Sequence, residues 1–167
     1  LQQTILDAYK STIIALAAAI DAKDPYTLGH SQRVMEFTLL AGSSLLLPAE
    51  EMETLEYAGI LHDIGKIAID AQILNKTDTL TPSEWNIIRR HPLIGANLLK
   101  KVPFLEKASN YVHHHHERYD GEGYPDGLKG EEIPMGARLL AVADAFDSMT
   151  TDRAYRPALE IDYAINE

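Results

Sequence analysis

A chain of 167 residues, 46% of them hydrophobic and with charges spread throughout, suits one globular domain with a proper core and excludes a disordered protein. The net charge of −10 and the lack of a basic stripe exclude a generic nucleic-acid binder, DNA included, while an anionic ligand stays open if cations gather in one pocket. There is no cysteine, so disulfides and thiolate metal ligands are excluded, in keeping with a reducing compartment.

Residues 3–23 carry Ile5, Ala8, Thr12, Ala15/Leu16 and Ala19/Ile20 at a helical period, which Asp24-Pro25-Tyr26 ends. The apolar run Ile13 to Ile20 is too short to span a bilayer, and no signal-peptide pattern precedes it, so no membrane contact is expected. The chain starts at Leu1, not Met, and stops within a helical pattern. It therefore reads as a piece of a longer protein, residues 1–23 forming a leading helix and 24–167 the domain proper. A second helix is predicted over 27–47 with Val34, Phe37, Leu40, Ala41 and Leu45 inward. After Pro48 an acidic first turn opens a third helix, through Leu55, Ala58 and Leu61 into His62-Asp63-Ile64-Gly65-Lys66. Gly65 reads as the residue just past that helix's end. Ile67 to Asp78 reads as loop. Thr81-Pro82-Ser83-Glu84 has the form of a capping box, and its helix runs to His91, where Pro92 forces a kink or a new start. Helical patterns follow over 94–101 and 105–117. Tyr119 to Ile133 is rich in Gly, Asp and Pro, a long irregular loop of the kind more often functional than filler. Pro134 opens a helix through Leu139, Val142, Phe146 and Met149 to about Thr151, and a last amphipathic piece starts near Leu159. With no strand pattern and no repeat, the fold class is all-α, a bundle of about seven helices.

All seven histidines lie in four places: His30, His62, His91 and the run His113 to His116. Helical folds build di-metal centres from such His and carboxylate sets on several helices. Nitrogen and oxygen ligands without sulfur suit iron, manganese or zinc. His62 and Asp63 at a helix end can reach one ion together, although His62 alone could equally be a hydrogen-bonded core histidine. Four consecutive histidines on one helix cannot all face one ion, so two reach inward and the others point to solvent or core. Asp144 and Asp147 share a face of an otherwise apolar helix, which is costly unless they meet a cation or hydrogen-bond donors. The competing reading is an exposed polar stripe with Ser148, Thr151 and Asp152. Lys66, Arg153 and Arg156 are candidate phosphate binders.

These blocks, in order, resemble the HD-GYP domain, a branch of the HD-superfamily metal phosphohydrolases. They are Asp24-Pro-Tyr-Thr-Leu-Gly-His30, His62-Asp-Ile-Gly-Lys66, His91-Pro-Leu-Ile-Gly95, His115-His-Glu-Arg-Tyr-Asp-Gly-Glu-Gly-Tyr-Pro125, Asp144-Ala-Phe-Asp147 and Asp152-Arg-Ala-Tyr-Arg156. The resemblance implies a cytoplasmic bacterial phosphodiesterase that hydrolyses cyclic di-GMP to pGpG and, in many members, GMP. It also implies a two-metal centre, iron or manganese first, with zinc, nickel or magnesium as alternatives. Its ligands would be His30, His62, Asp63, His91, His115, His116 and Asp144. Asp63 would bridge, with His62, Asp144 and His30 on one ion and His91, His115 and His116 on the other. Lys66 falls where the family's phosphate-contacting lysine lies. Asp147, Tyr124, Arg153 and Arg156 fall on positions tied to substrate or site support. Some members hold a third ion with a glutamate one helical turn before the first histidine. Tyr26 stands there in this chain, which favours two ions. His113 and His114 match no family ligand. The alternatives are hydrolysis of another cyclic dinucleotide, or a signalling module that binds cyclic di-GMP or a GGDEF-domain partner through the Gly-Tyr-Pro loop without turnover. A homodimer is also compatible with the resemblance.

Overall fold

Every periodic segment of the sequence folds as a helix, and no strand occurs among the described residues. The computed structural model describes residues 2–23, 29–152 and 157–166, with side chains from residue 8 onward. In chain order the helices are α1 (Gln2–Asp21), α2 (His30–Ser44), α3 (Ala49–Leu61), α4 (Ala71–Leu74), α5 (Pro82–Ile88), α6 (His91–Leu99), α7 (Glu106–His114), α8 (Met135–Thr150) and α9 (Ile161–Asn166). None is long and apolar enough to cross a membrane.

The middle of the bundle is α3, whose last eight positions are nearly all buried because α2, α7 and α8 pack around it. The C-terminal part of α3, from Tyr57 to Leu61, is buried all round, and its end delivers His62 and Asp63 into the interior. Val34, Ala58, Leu61, Leu99, Val112 and Leu140 join it in one cluster.

On three helices the inner face differs from the periodicity reading. In α1, Ile13, Ala17 and Ile20 turn inward, whereas Ala8, Thr12, Ala15, Leu16 and Ala19 are exposed. The run is apolar almost all round, so spacing alone could not choose a face. In α2 the buried stripe is His30, Val34, Thr38 and Gly42, leaving Leu40 and Leu45 exposed. Thr38 sits inside by donating its hydroxyl to the Val34 carbonyl at 2.7 Å. In α8 the buried face is Gly136, Ala137, Leu140, Ala143 and Asp147, and Val142 is 69% exposed. This face is small and apolar except for Asp147, which is held inside by His30 and Arg33.

The segment expected as loop after Lys66 is ordered into a 3-10 turn (Ile64–Ala68) and α4, capped by Asp70. Gly65 is not a helix-end glycine. It lies within the 3-10 turn, where a Cβ would meet the His91 carbonyl at 2.0 Å and the Gly95 nitrogen at 2.7 Å. Backbone touches backbone there, and only glycine permits it. The Thr81 and Glu84 capping box forms as expected, with Pro82 in the first turn of α5. The chain then breaks at Arg89-Arg90 and restarts as α6 with Pro92 in its first turn.

Candidate metal centre

Three histidines reach the interior by one shared device. The last carbonyls of a helix have no intrahelical donor. His62 Nδ1 donates to the Gly59 carbonyl at 2.8 Å, His91 Nδ1 to Ile88 at 2.8 Å, and His115 Nδ1 to Val112 at 2.7 Å. Each ring thereby satisfies a helix-end carbonyl three residues back and fixes its own tautomer. Nε2 is left as a lone pair aimed into the centre, the state a metal-binding imidazole needs.

The donors gather in two sets. His30, His62 and Asp144 form one, and His91, His115 and His116 the other, the donor atoms of each set lying within 4.8 Å of one another. Asp63 stands between them. Its Oδ1 is 3.4 Å from His91 Nε2, and its Oδ2 is 3.5 Å from His62 Nε2 and 4.0 Å from His30 Nε2. His30 Nε2 lies 3.3 Å from Asp144 Oδ1, and the Nε2 atoms of His91 and His116 approach to 3.2 Å.

This packing is costly without a cation. His62 Nε2 and His115 Nε2 are buried with no hydrogen-bond partner, an expensive state for a polar atom. Burial pushes His91 down to about 4 and holds His115 and His116 below the usual imidazole range, so these rings are neutral. Burial opposes charge on Asp63 and Asp144 too, but the Lys66 ammonium beside Asp63 and the His30 hydrogen bond to Asp144 outweigh it, and both carboxyls are lowered. Neutral imidazoles and ionised carboxylates converging in a sulfur-free pocket fit divalent metal ions.

His30 is supported from behind. Its Nδ1 donates to Asp147 Oδ2 at 2.7 Å, and Arg33 holds the same carboxylate through Nε at 2.6 Å and Nη2 at 3.0 Å. Burial works against a charged His30, yet the Asp144 and Asp147 carboxylates outweigh it and raise His30 to about 9. Of the two roles that the resemblance allowed for Asp147, this geometry is that of site support. The carboxylate is 2% exposed and both oxygens are engaged, so it is not placed for substrate contact. Arg33 escaped the sequence reading, although a base one turn after His30 was a usable signal.

Lys66 Nζ donates to Asp63 Oδ2 at 2.6 Å and is part-exposed at the rim. Tyr124 stacks on His116, ring centroids 4.9 Å apart, and the Arg89 guanidinium lies over the Tyr124 ring at 5.3 Å. Burial, then the Asp63 and Asp144 charges, raise the Tyr124 phenol, which therefore stays protonated. Glu117 organises the loop that carries Tyr124: its buried carboxylate accepts the backbone N–H groups of Asp126, Gly127 and Leu128 at 2.7, 3.2 and 3.1 Å. Gly123 lets that loop close, since a Cβ there would meet the Arg118 nitrogen at 2.2 Å. Glu117 lies within the His115 to Pro125 motif, but no local pattern in the sequence marks this role. Tyr26, Arg153 and Arg156 lie outside the described residues.

Residues 15–167 match the HD domain family. The chain belongs to that family, in its HD-GYP branch. It is 42% identical over 158 residues to the cyclic di-GMP phosphodiesterase response regulator RpfG of Xanthomonas campestris, covering 93% of this chain and 42% of that one. It is 38% identical over 160 residues to the 3'3'-cGAMP-specific phosphodiesterase 3 of Vibrio cholerae, covering 95% of this chain and 35% of that one. Among solved structures, a cyclic GMP-AMP specific phosphodiesterase of V. cholerae superposes with a TM-score of 0.70 at 20% identity, over 93% of this chain and 42% of that one, a likeness of fold. The chain spans less than half the length of these relatives.

Proposed function

We propose that this domain is a two-metal phosphodiesterase acting on cyclic di-GMP and releasing pGpG. The observation that carries the reading is the single carboxylate of Asp63 set between two sets of three donors. His30, His62 and Asp144 would hold one ion and His91, His115 and His116 the other, with Asp63 shared. Iron or manganese fits this nitrogen-rich, sulfur-free donor set, and zinc, nickel or magnesium are the alternatives to be compared. Two bound ions supply an activated water and neutralise phosphate oxygens, which answers how a chain of charge −10 accepts an anion.

The chain's own residues do the rest. Asp63, buried, and Asp144, part-buried, keep their charge at neutral pH and so would hold cations where the phosphate must come. Lys66 places its ammonium at the rim, where it would stabilise charge growing on a non-bridging phosphate oxygen. Tyr124, kept protonated, offers a hydroxyl donor from the loop, and Asp147 with Arg33 keeps the His30 ring in one orientation. Arg153 and Arg156 are proposed as further phosphate contacts on their chemistry alone.

A second reading, a preference for a mixed cyclic dinucleotide, is favoured by the 38% identity to a 3'3'-cGAMP-specific enzyme. Protein loaded with iron or manganese is incubated with each dinucleotide and the products are separated by chromatography. Conversion of cyclic di-GMP to pGpG, with or without GMP, is expected. Turnover of the mixed dinucleotide alone would favour the second reading, and no turnover of either would contradict both.

A further inference from the structure

The two histidines that turn away from the centre converge on the loop. His113 Nε2 lies 2.9 Å and His114 Nε2 3.1 Å from the same oxygen, Asp126 Oδ2, with the two rings 4.5 Å apart. The donor atoms of these three residues lie within 4.8 Å of one another. His114 decides what this means. Its Nδ1 sits 2.9 Å from the Asn110 carbonyl, which can only accept, so Nδ1 carries the proton. In the neutral ring Nε2 is then a lone pair pointed at a carboxylate oxygen. Both Nε2 atoms and the carboxylate oxygen thus converge on one point, within reach of a single ion.

We propose that His113, His114 and Asp126 form a separate site for one divalent ion of the zinc class. Two imidazole nitrogens and one carboxylate oxygen are a known zinc donor set, with the remaining positions left to water. Asp126 is half-exposed, so an ion can enter from solvent. The site is built across two elements, the end of α7 and the loop residue directly after Tyr124-Pro125. Asp126 also gives its backbone N–H to Glu117. An ion here would therefore fasten the loop whose Tyr124 stacks on His116. It needs neither the ligands nor the activity assigned above.

The test compares the zinc content of the parent chain with His114→Ala and Asp126→Asn after dialysis against zinc at one buffered free concentration, measured by elemental analysis. Each variant should hold one zinc per chain fewer than the parent. The two substitutions control for each other, since Asp126 lies on the loop, away from His115 and His116 in sequence. Hydrogen exchange gives a second readout: zinc should slow the amides of residues 126–128 in the parent and not in the Asp126→Asn chain. Equal zinc content in all three chains, with no zinc-dependent difference in exchange, would overturn the site.

Discussion

At the scale of single residues, the centre depends on groups whose role is visible only through a neighbour. Asp147 reaches no donor set itself, but it holds the His30 ring through Nδ1. Loss of an outer partner to a metal-ligating histidine costs roughly 10–100-fold in metal affinity. Asp147→Asn should therefore weaken metal binding by about that factor, read by competition with a chelator, while an unchanged affinity would make the contact incidental. Gly65 offers a sharper case. The Cβ of Gly65→Ala would strike the His91 backbone, which cannot swing away as a side chain can. Overpacking of this kind costs about 1–3 kcal/mol, expected as a lowered melting temperature in metal-free protein. His62, Asp63, His91 and Asp144 could be picked out in the sequence because ligand residue types cluster in motifs. Gly65 was noticed for the wrong reason, since a close approach to α6 leaves no local signal.

At the scale of elements, what could be read depended on whether the cause was local. The capping box of α5 is local: Thr81 and Glu84 satisfy each other's backbone donors, and both residues stand in one tetrapeptide. Thr81→Ala should cost about 1 kcal/mol, measurable by denaturant unfolding. Glu84 adds a pH signature. Lys76 and the Thr81 backbone lower it from 4.5 to about 2, so its stabilisation is complete above pH 4.5 and is lost as pH falls towards 2. The gap in melting temperature between the parent and Glu84→Gln should shrink over that interval, and a constant gap would remove Glu84 from the account. The inner faces of α1, α2 and α8 were not local. Asp144 and Asp147 break the apolar periodicity of α8 because the interior there holds imidazoles and Arg33, which a hydrophobicity pattern cannot register. The loop after His116 was correctly expected to be long and irregular, but its order comes from Glu117 accepting three backbone donors.

At the scale of the whole molecule, helices from distant parts of the chain bring buried imidazoles together, and two of their nitrogens lack partners. A fold built this way should be less stable without its ions. Because metal binds the folded chain and not the unfolded one, saturation at 100 times the dissociation constant adds about 2.7 kcal/mol. Chelation should lower the melting temperature and manganese should restore it, whereas indifference to chelator would contradict a metal-filled interior. The helical class and the order of motifs were open to sequence reading because the pattern is strong and the histidines are so few. The pairing of donors into two sets could be expected only through the family resemblance and not from spacing, since it depends on α2, α3, α6, α7 and α8 meeting at one place. Asp63 is the point where those elements join, its two oxygens turned to different sets. The most direct measurement is therefore the metal content of folded Asp63→Ala beside the parent. Loss of both ions is the predicted result, and retention of two ions per chain would contradict the shared carboxylate.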